Sequence, residues 1–156
     1  VVNSCIYFNE TCICNQVNFN IILFKSIRCR SISNSPKEFP DLNVLKNTSR
    51  STIFNLEIIN KFYKFIPNYS FDSMRIHVLI LKNNQIELIE DFGLYGIEGL
   101  RLLDLRSNKL KYVNVSYLNL LEQINIQHNH LEFIDEKMFA NLRNLNILVL
   151  LNNNIK

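Results

Sequence analysis

The sequence predicts an α/β repeat fold: a curved solenoid with a parallel sheet on its concave side, mostly irregular or short-helical returns on its convex side, and a disulfide cap at its N-terminus. Three observations lead there. Four eleven-residue blocks share one apolar pattern with Asn at the ninth place. Their starts are 21–24 residues apart, the period of a stacked repeat. All four cysteines precede them.

The blocks are IHVLILKNNQI (76–86), LRLLDLRSNKL (100–110), LEQINIQHNHL (121–131) and LNILVLLNNNI (145–155). Each reads apolar-x-x-apolar-x-apolar-x-x-Asn-x-apolar, with Asn84, Asn108, Asn129 and Asn153 at the anchor. Asn is 24 of 156 residues. Four chance hits therefore have a probability of roughly 0.15 to the fourth power, about one in two thousand, before the apolar places are counted. A fifth block, IFNLEIINKFY (53–63), keeps the apolar places and carries Lys61 where Asn is expected. The first repeat meets a cap, and departures are expected there.

Spacing sets the physics. A strand has period two, so Leu79 and Leu81 share one side, as do Leu103 and Leu105, Ile124 and Ile126, and Leu148 and Leu150. Those side chains are expected to fill the interior. The anchor Asn then turns the chain, its amide meeting backbone groups that the turn leaves unpaired. The returns supply a second inward set: Ile89, Leu94 and Ile97; Val113 and Leu118; Ile134, Phe139 and Leu142. Two parts follow, a cysteine-rich cap over 1–52 and repeats over 53–156, starting near 53, 76, 100, 121 and 145. The last repeat is incomplete, so the chain is expected to be an N-terminal piece of a longer protein.

Composition agrees with a packed solenoid and excludes several classes. Apolar residues make up 47%, enough for a core. The net charge of +3 is spread over interleaved charges, with no basic cluster to displace counterions from a nucleic acid. The best candidate for a membrane span, Phe19 to Phe24, is far below the ~20 residues of a membrane helix.

Cys5, Cys12, Cys14 and Cys29 fall in the first 29 residues, followed by Phe39-Pro40. A solenoid must cover the open end of its core. Four thiolates also suit tetrahedral zinc, but such sites usually use two close pairs and only Cys12 and Cys14 are close. Disulfides are therefore expected, with three connectivities open on sequence grounds, and with them an oxidising compartment.

Repeats and cap together resemble the extracellular leucine-rich repeats of Slit, Toll-type receptors and small proteoglycans, over nearly the whole chain. The resemblance implies a leucine-rich-repeat solenoid and disulfides Cys5–Cys14 and Cys12–Cys29. The gap from Cys14 to Cys29 and the extra residues between Ile32 and Pro40 depart from the family's cap. The run from Phe54 to Ile89 is also faintly similar to arthropod proteins related to the non-catalytic subunit of shrimp luciferase.

The function expected is non-catalytic: an extracellular protein-binding module, secreted or on the outer side of the plasma membrane, that takes a protein ligand or co-receptor on its concave face. The alternative is a non-catalytic subunit of a secreted enzyme complex. A dimer through the solenoid is a further arrangement open to such a chain. No cofactor or metal is expected, and no phosphate loop or nucleophile motif occurs. His128 and His130 flank Asn129 and read as a solvent-facing turn pair. The expected ligand-binding residues alternate with the core pairs: Val78, Ile80 and Lys82; Leu102, Asp104 and Arg106; Asn125 and Gln127. Val78, Ile80 and Leu102 form an apolar island beside charged neighbours, a pattern common at interfaces. Sequons at Asn9, Asn47, Asn68 and Asn114 avoid the predicted strands and are expected to carry glycans.

Overall fold

The computed structural model describes residues 2–7, 10–19, 22–30, 42 and 52–156. Side-chain surroundings are described for Arg28, Leu42, Ile53 and residues 55–156. The expectations at Asn9 and Asn47, and those concerning the cysteine side chains, lie outside these.

One sheet runs the length of the molecule. Its strands are β1 (Val2–Tyr7), β2 (Glu10–Phe19), β3 (Ile22–Arg30), β4 (Thr52–Ile59), β6 (Ile76–Ile80), β8 (Leu102–Asp104), β9 (Gln123–Asn125) and β10 (Ile147–Val149), neighbours in that order. β1, β2 and β3 pair antiparallel. From β3 onward every pairing is parallel, and each strand after β4 is reached by a return over the back. The N-terminal segment thus extends the solenoid's own sheet. Its register sets Cys5 opposite Cys12 and Cys12 opposite Cys29, in one cross-strand row. Cys14 lies opposite Asn3, two residues from Cys5.

The repeat alignment matches the register. Leu56, Leu79, Leu103, Ile124 and Leu148 are successive partners across β4, β6, β8, β9 and β10. Leu79, Leu81, Leu103, Leu105, Ile124 and Ile126 are fully buried. Leu94, Ile97, Val113 and Leu118 close the core from the return side. At ~1.5–3 kcal/mol for each fully buried aliphatic side chain, this two-sided filling is the main source of stability.

The backing corrects the α/β expectation in part. Among the described residues there is no α-helix. The returns hold a two-stranded parallel sheet of β5 (Phe65–Ile66) and β7 (Leu88–Ile89), a 3-10 helix at Glu136–Phe139, and turns. Repeat periods of 21–24 residues, once strand and turn are formed, leave returns too short for a helix of typical length and its two connections. Gly96, at φ +91°, lies so close to the preceding repeat that an added Cβ would come within 2.6 Å of Asp72 Cα.

One inward assignment changes. Ile134 is 42% exposed, and Met138, carried by the 3-10 helix, takes the buried place. Leu148, in register with Ile124 on the last strand among the described residues, is 41% exposed.

Candidate binding face

Each sheet strand ends in a turn whose geometry repeats. The residue before each anchor place is left-handed: Asn60, Asn83, Ser107, His128 and Asn152, with φ between 55° and 59°. Asn and His are enriched in that region, and three of the five are Asn. The next residue locks the turn. Asn108 Nδ2 donates to the Leu105 carbonyl at 2.9 Å and to Leu81 of the preceding repeat at 3.0 Å. Its Oδ1 accepts from the Ile86 N–H at 3.1 Å. Asn129 and Asn153 repeat this pattern toward Leu110 and Leu131.

At the first repeat the pattern slips. Asn84 Oδ1 accepts from the N–H of Lys61 itself, at 2.8 Å, in a turn where Phe62 is also left-handed at 60°. Lys61 is buried, which lowers the pKa of its ammonium.

Beyond these turns the outer face forms rows across the strands. The middle row runs Arg28, Glu57, Ile80, Asp104, Asn125 and Val149. To one side lie Asn55, Val78, Leu102, Gln123 and Ile147. The other side holds Lys82, Arg106 and Gln127, tied by backbone bonds from Asn83 to Arg106 and from Ser107 to Gln127. Val78, Ile80 and Leu102 are half-buried neighbours, as the apolar island requires.

The charges are arranged differently from expectation. Asp104 is only 5% exposed. Arg106 folds over it as a fork, Nε to Oδ1 at 2.9 Å and Nη2 to Oδ2 at 2.7 Å. The hydrogen bonds and charge of Asp104 raise the Arg106 pKa. What faces outward is the back of a fixed guanidinium. Asp104 Oδ1 also accepts from the Arg106 N–H, as Asn125 Oδ1 does from Gln127.

A second pair was missed by sequence reasoning. Glu57, 4% exposed, accepts from Arg28 Nη2 at 2.8 Å and from Asn55 Nδ2 at 2.8 Å. Burial pushes its carboxyl up, but the bonds from Arg28 and Asn55 and the charges of Arg28 and Lys82 outweigh burial and hold it below its ordinary value. The available signal was an acid at an outward place with no cation on its own strand.

His128 and His130 are exposed beside Asn129, as the turn reading requires. Among the described residues no three His, Cys, Asp or Glu side chains come together as a metal site. Nor is any helix there long and apolar enough to cross a membrane. Asn68 is exposed on a return, its Oδ1 accepting from the Phe92 N–H at 2.8 Å. Asn114 is half-buried, its Oδ1 accepting from the N–H and hydroxyl of Ser116.

Residues 74–131 match the family model of the leucine rich repeat. The span covers the repeats starting at 76 and 100 and the strand and turn of the one starting at 121, and the next, with Asn153, continues their hydrogen bonding. No curated protein matches the chain. Leucine-rich repeats are typically non-catalytic protein-interaction modules, and a parallel sheet with an exposed outer face is the geometry such a module uses.

Proposed function

We propose that this leucine-rich-repeat chain is an extracellular, non-catalytic binding module that takes a protein ligand on the outer, concave face of its sheet. The observation that carries the reading is the half-buried island of Val78, Ile80 and Leu102 beside Lys82 and the fixed Arg106 guanidinium, with Asn125 and Gln127 at its edge. An apolar centre next to an orientation-locked Arg is a common hot-spot composition. Arg106 enters a complex with its rotamers already restricted, which lowers the entropy lost on binding.

The extracellular part of the reading is supported by the cysteine rows. Directly opposed residues of an antiparallel pair have Cα atoms about 4.5–5.5 Å apart, within the range of a disulfide. Cys12 stands directly opposite both Cys5 and Cys29, and Cys14 lies diagonal to Cys5, so the register leaves the pairing open. A cap of the kind found in Slit, Toll-type receptors and small proteoglycans is the corresponding arrangement. Of the four sequons expected to carry glycans, Asn9, Asn47 and Asn68 are the places proposed; Asn114, half-buried with its Oδ1 held by Ser116, is proposed to stay bare.

Affinity capture from the source's extracellular fluid tests the reading, with wild type compared against Leu102→Arg. A protein retained by wild type and lost with the variant supports it. Retention by both places binding elsewhere.

A further inference from the structure

We propose that the flank of the solenoid just past the asparagine turns is a homodimer contact, in which two copies lie antiparallel with matching rows face to face. Four residues after each anchor place stand Phe65, Leu88, Tyr112 and Phe133. They are 40%, 53%, 39% and 53% exposed. One exposed aromatic is ordinary; an apolar residue at the same exposed place in four consecutive repeats is a stripe. The stripe is joined within each half: Phe65 pairs with Leu88 across β5 and β7, and the Tyr112 and Phe133 rings lie 6.4 Å apart.

The row immediately before it names the partner. It reads Lys64, Glu87, Lys111 and Glu132, all exposed and alternating in sign. The backbone keeps it in order, with Glu87 N–H donating to the Lys64 carbonyl at 2.7 Å. Consider a two-fold axis lying in the contact plane, across the rows, midway between the repeats of Glu87 and Lys111. It brings charged row to charged row and apolar row to apolar row, in reversed order. Lys64 then faces Glu132 of the second copy and Glu87 faces Lys111. By symmetry all four contacts are between unlike charges. The apolar row pairs Phe65 with Phe133 and Leu88 with Tyr112. A shift of one repeat sets like charges together and a shift of two leaves two of the four contacts, so alternation and contact number together select one register as well as one orientation. An axis along the rows would face each lysine with itself.

Within one chain the same alternation gives only an exposed contact, Lys111 to Glu132 at 3.9 Å, of a kind that contributes little. Asn114 stands two residues beyond Tyr112 with buried Val113 between them, so both lie on one side of the chain. A glycan at Asn114 would cover the stripe, and the dimer requires that residue bare. Eight residues per copy make a small interface, so the dimer is weak and concentration-dependent.

Sedimentation equilibrium over a concentration series of the whole chain tests this, with circular dichroism confirming each variant's fold. Wild type is expected to dimerise, more weakly as salt rises. Leu88→Asp, or Leu88→Ser should Asp disturb β7, is expected to raise the dissociation constant at least about tenfold. Lys111→Glu is expected to do the same, because symmetry creates its like-charge contact twice. The double variant Glu87→Lys/Lys111→Glu sets like charges side by side within each chain, at 64 and 87 and at 111 and 132, yet keeps every contact across the axis unlike. It is expected to return the constant to within about threefold of wild type. The proposal is overturned by a wild type that stays monomeric, a dimer indifferent to Leu88 substitution, no rescue by the double variant, or a glycan on Asn114 of the native protein.

Discussion

Asn108 accepts the backbone N–H of Ile86, twenty-two residues earlier, so one side chain closes its own turn and fixes the turn of the preceding repeat. Replacing it with Ala removes the acceptor for the Ile86 N–H and one of two side-chain donors to each of the Leu81 and Leu105 carbonyls, which Asn84 and Asn129 still reach, all in a buried site. Leaving a buried backbone group unpaired costs about 1–3 kcal/mol, and the Ile86 N–H is left so here. Asn119 is exposed on a return. Asn119→Ala is expected to stay within about 0.5 kcal/mol of wild type. Urea denaturation of both variants checks this, and equal midpoints would refute the role given to the anchor amides.

Glu57 makes stability depend on acid. Its carboxyl is held below the ordinary value of 4.5, so its contribution is fully present above that pH and is lost as pH falls through the lower folded value. Arg28 is 44% exposed, and solvent screening keeps the contribution modest. Glu57→Gln is expected to be less stable than wild type at pH 7, with the gap closing progressively below about pH 4.5. Thermal melts of the two proteins from pH 7 to pH 3 measure it; a gap unchanged at pH 3 would contradict the pairing.

Much of the repeat region was legible because one side chain per turn carries a distinctive chemistry. The Asn spacing aligned Leu79, Leu103, Ile124 and Leu148 as successive partners, and the register agrees. Burial followed from strand parity for the first three. Leu148 keeps the same side, in register with Ile124, and is 41% exposed on the last strand among the described residues. Ile134 failed: in a return, a 3-10 helix rather than a fixed period decides what turns inward, and it delivers Met138. The outer-face residues were placed on the right side, yet Asp104 is sealed under Arg106. That fork joins two residues of one strand end and depends on rotamers, which spacing does not encode. The Arg28–Glu57 pair joins residues 29 apart and depends on the register of β3 with β4.

The cysteine rows predict oxidation. Cys12 stands opposite both Cys5 and Cys29, so the register leaves the pairing open; two bridges are expected, and the resemblance to cysteine-capped repeats implies Cys12–Cys29 and Cys5–Cys14. Intact mass of the native protein with and without reductant, followed by peptide mapping, checks both number and pairing. Four thiols alkylated without reduction would return the zinc reading to consideration. A loop of about 15 residues closed by a bridge is worth about 3 kcal/mol in the chain-entropy model, so reduction is expected to lower the melting temperature measurably.

The fork over Asp104 determines which variants can test the binding face. Charge reversal at Arg106 is the obvious probe of an outward cation, but here it strips the partner from a carboxylate that is only 5% exposed and sets a second acid beside it. Arg106→Glu is therefore expected to lose stability together with binding, and its loss of partner says little. Leu102→Arg is the cleaner probe. Leu102 is half-buried on the outer face, in the row of Val78 and Gln123, while the core beneath is filled by fully buried Leu103 and Leu105. A cation there interrupts the apolar island and leaves the interior untouched, so the urea midpoint is expected to stay within about 0.5 kcal/mol of wild type while partner capture falls at least about tenfold. Lys137→Glu, exposed on the 3-10 helix of a return, is expected to change neither. Capture lost with Lys137→Glu and kept with Leu102→Arg would move the binding surface from the sheet to the returns.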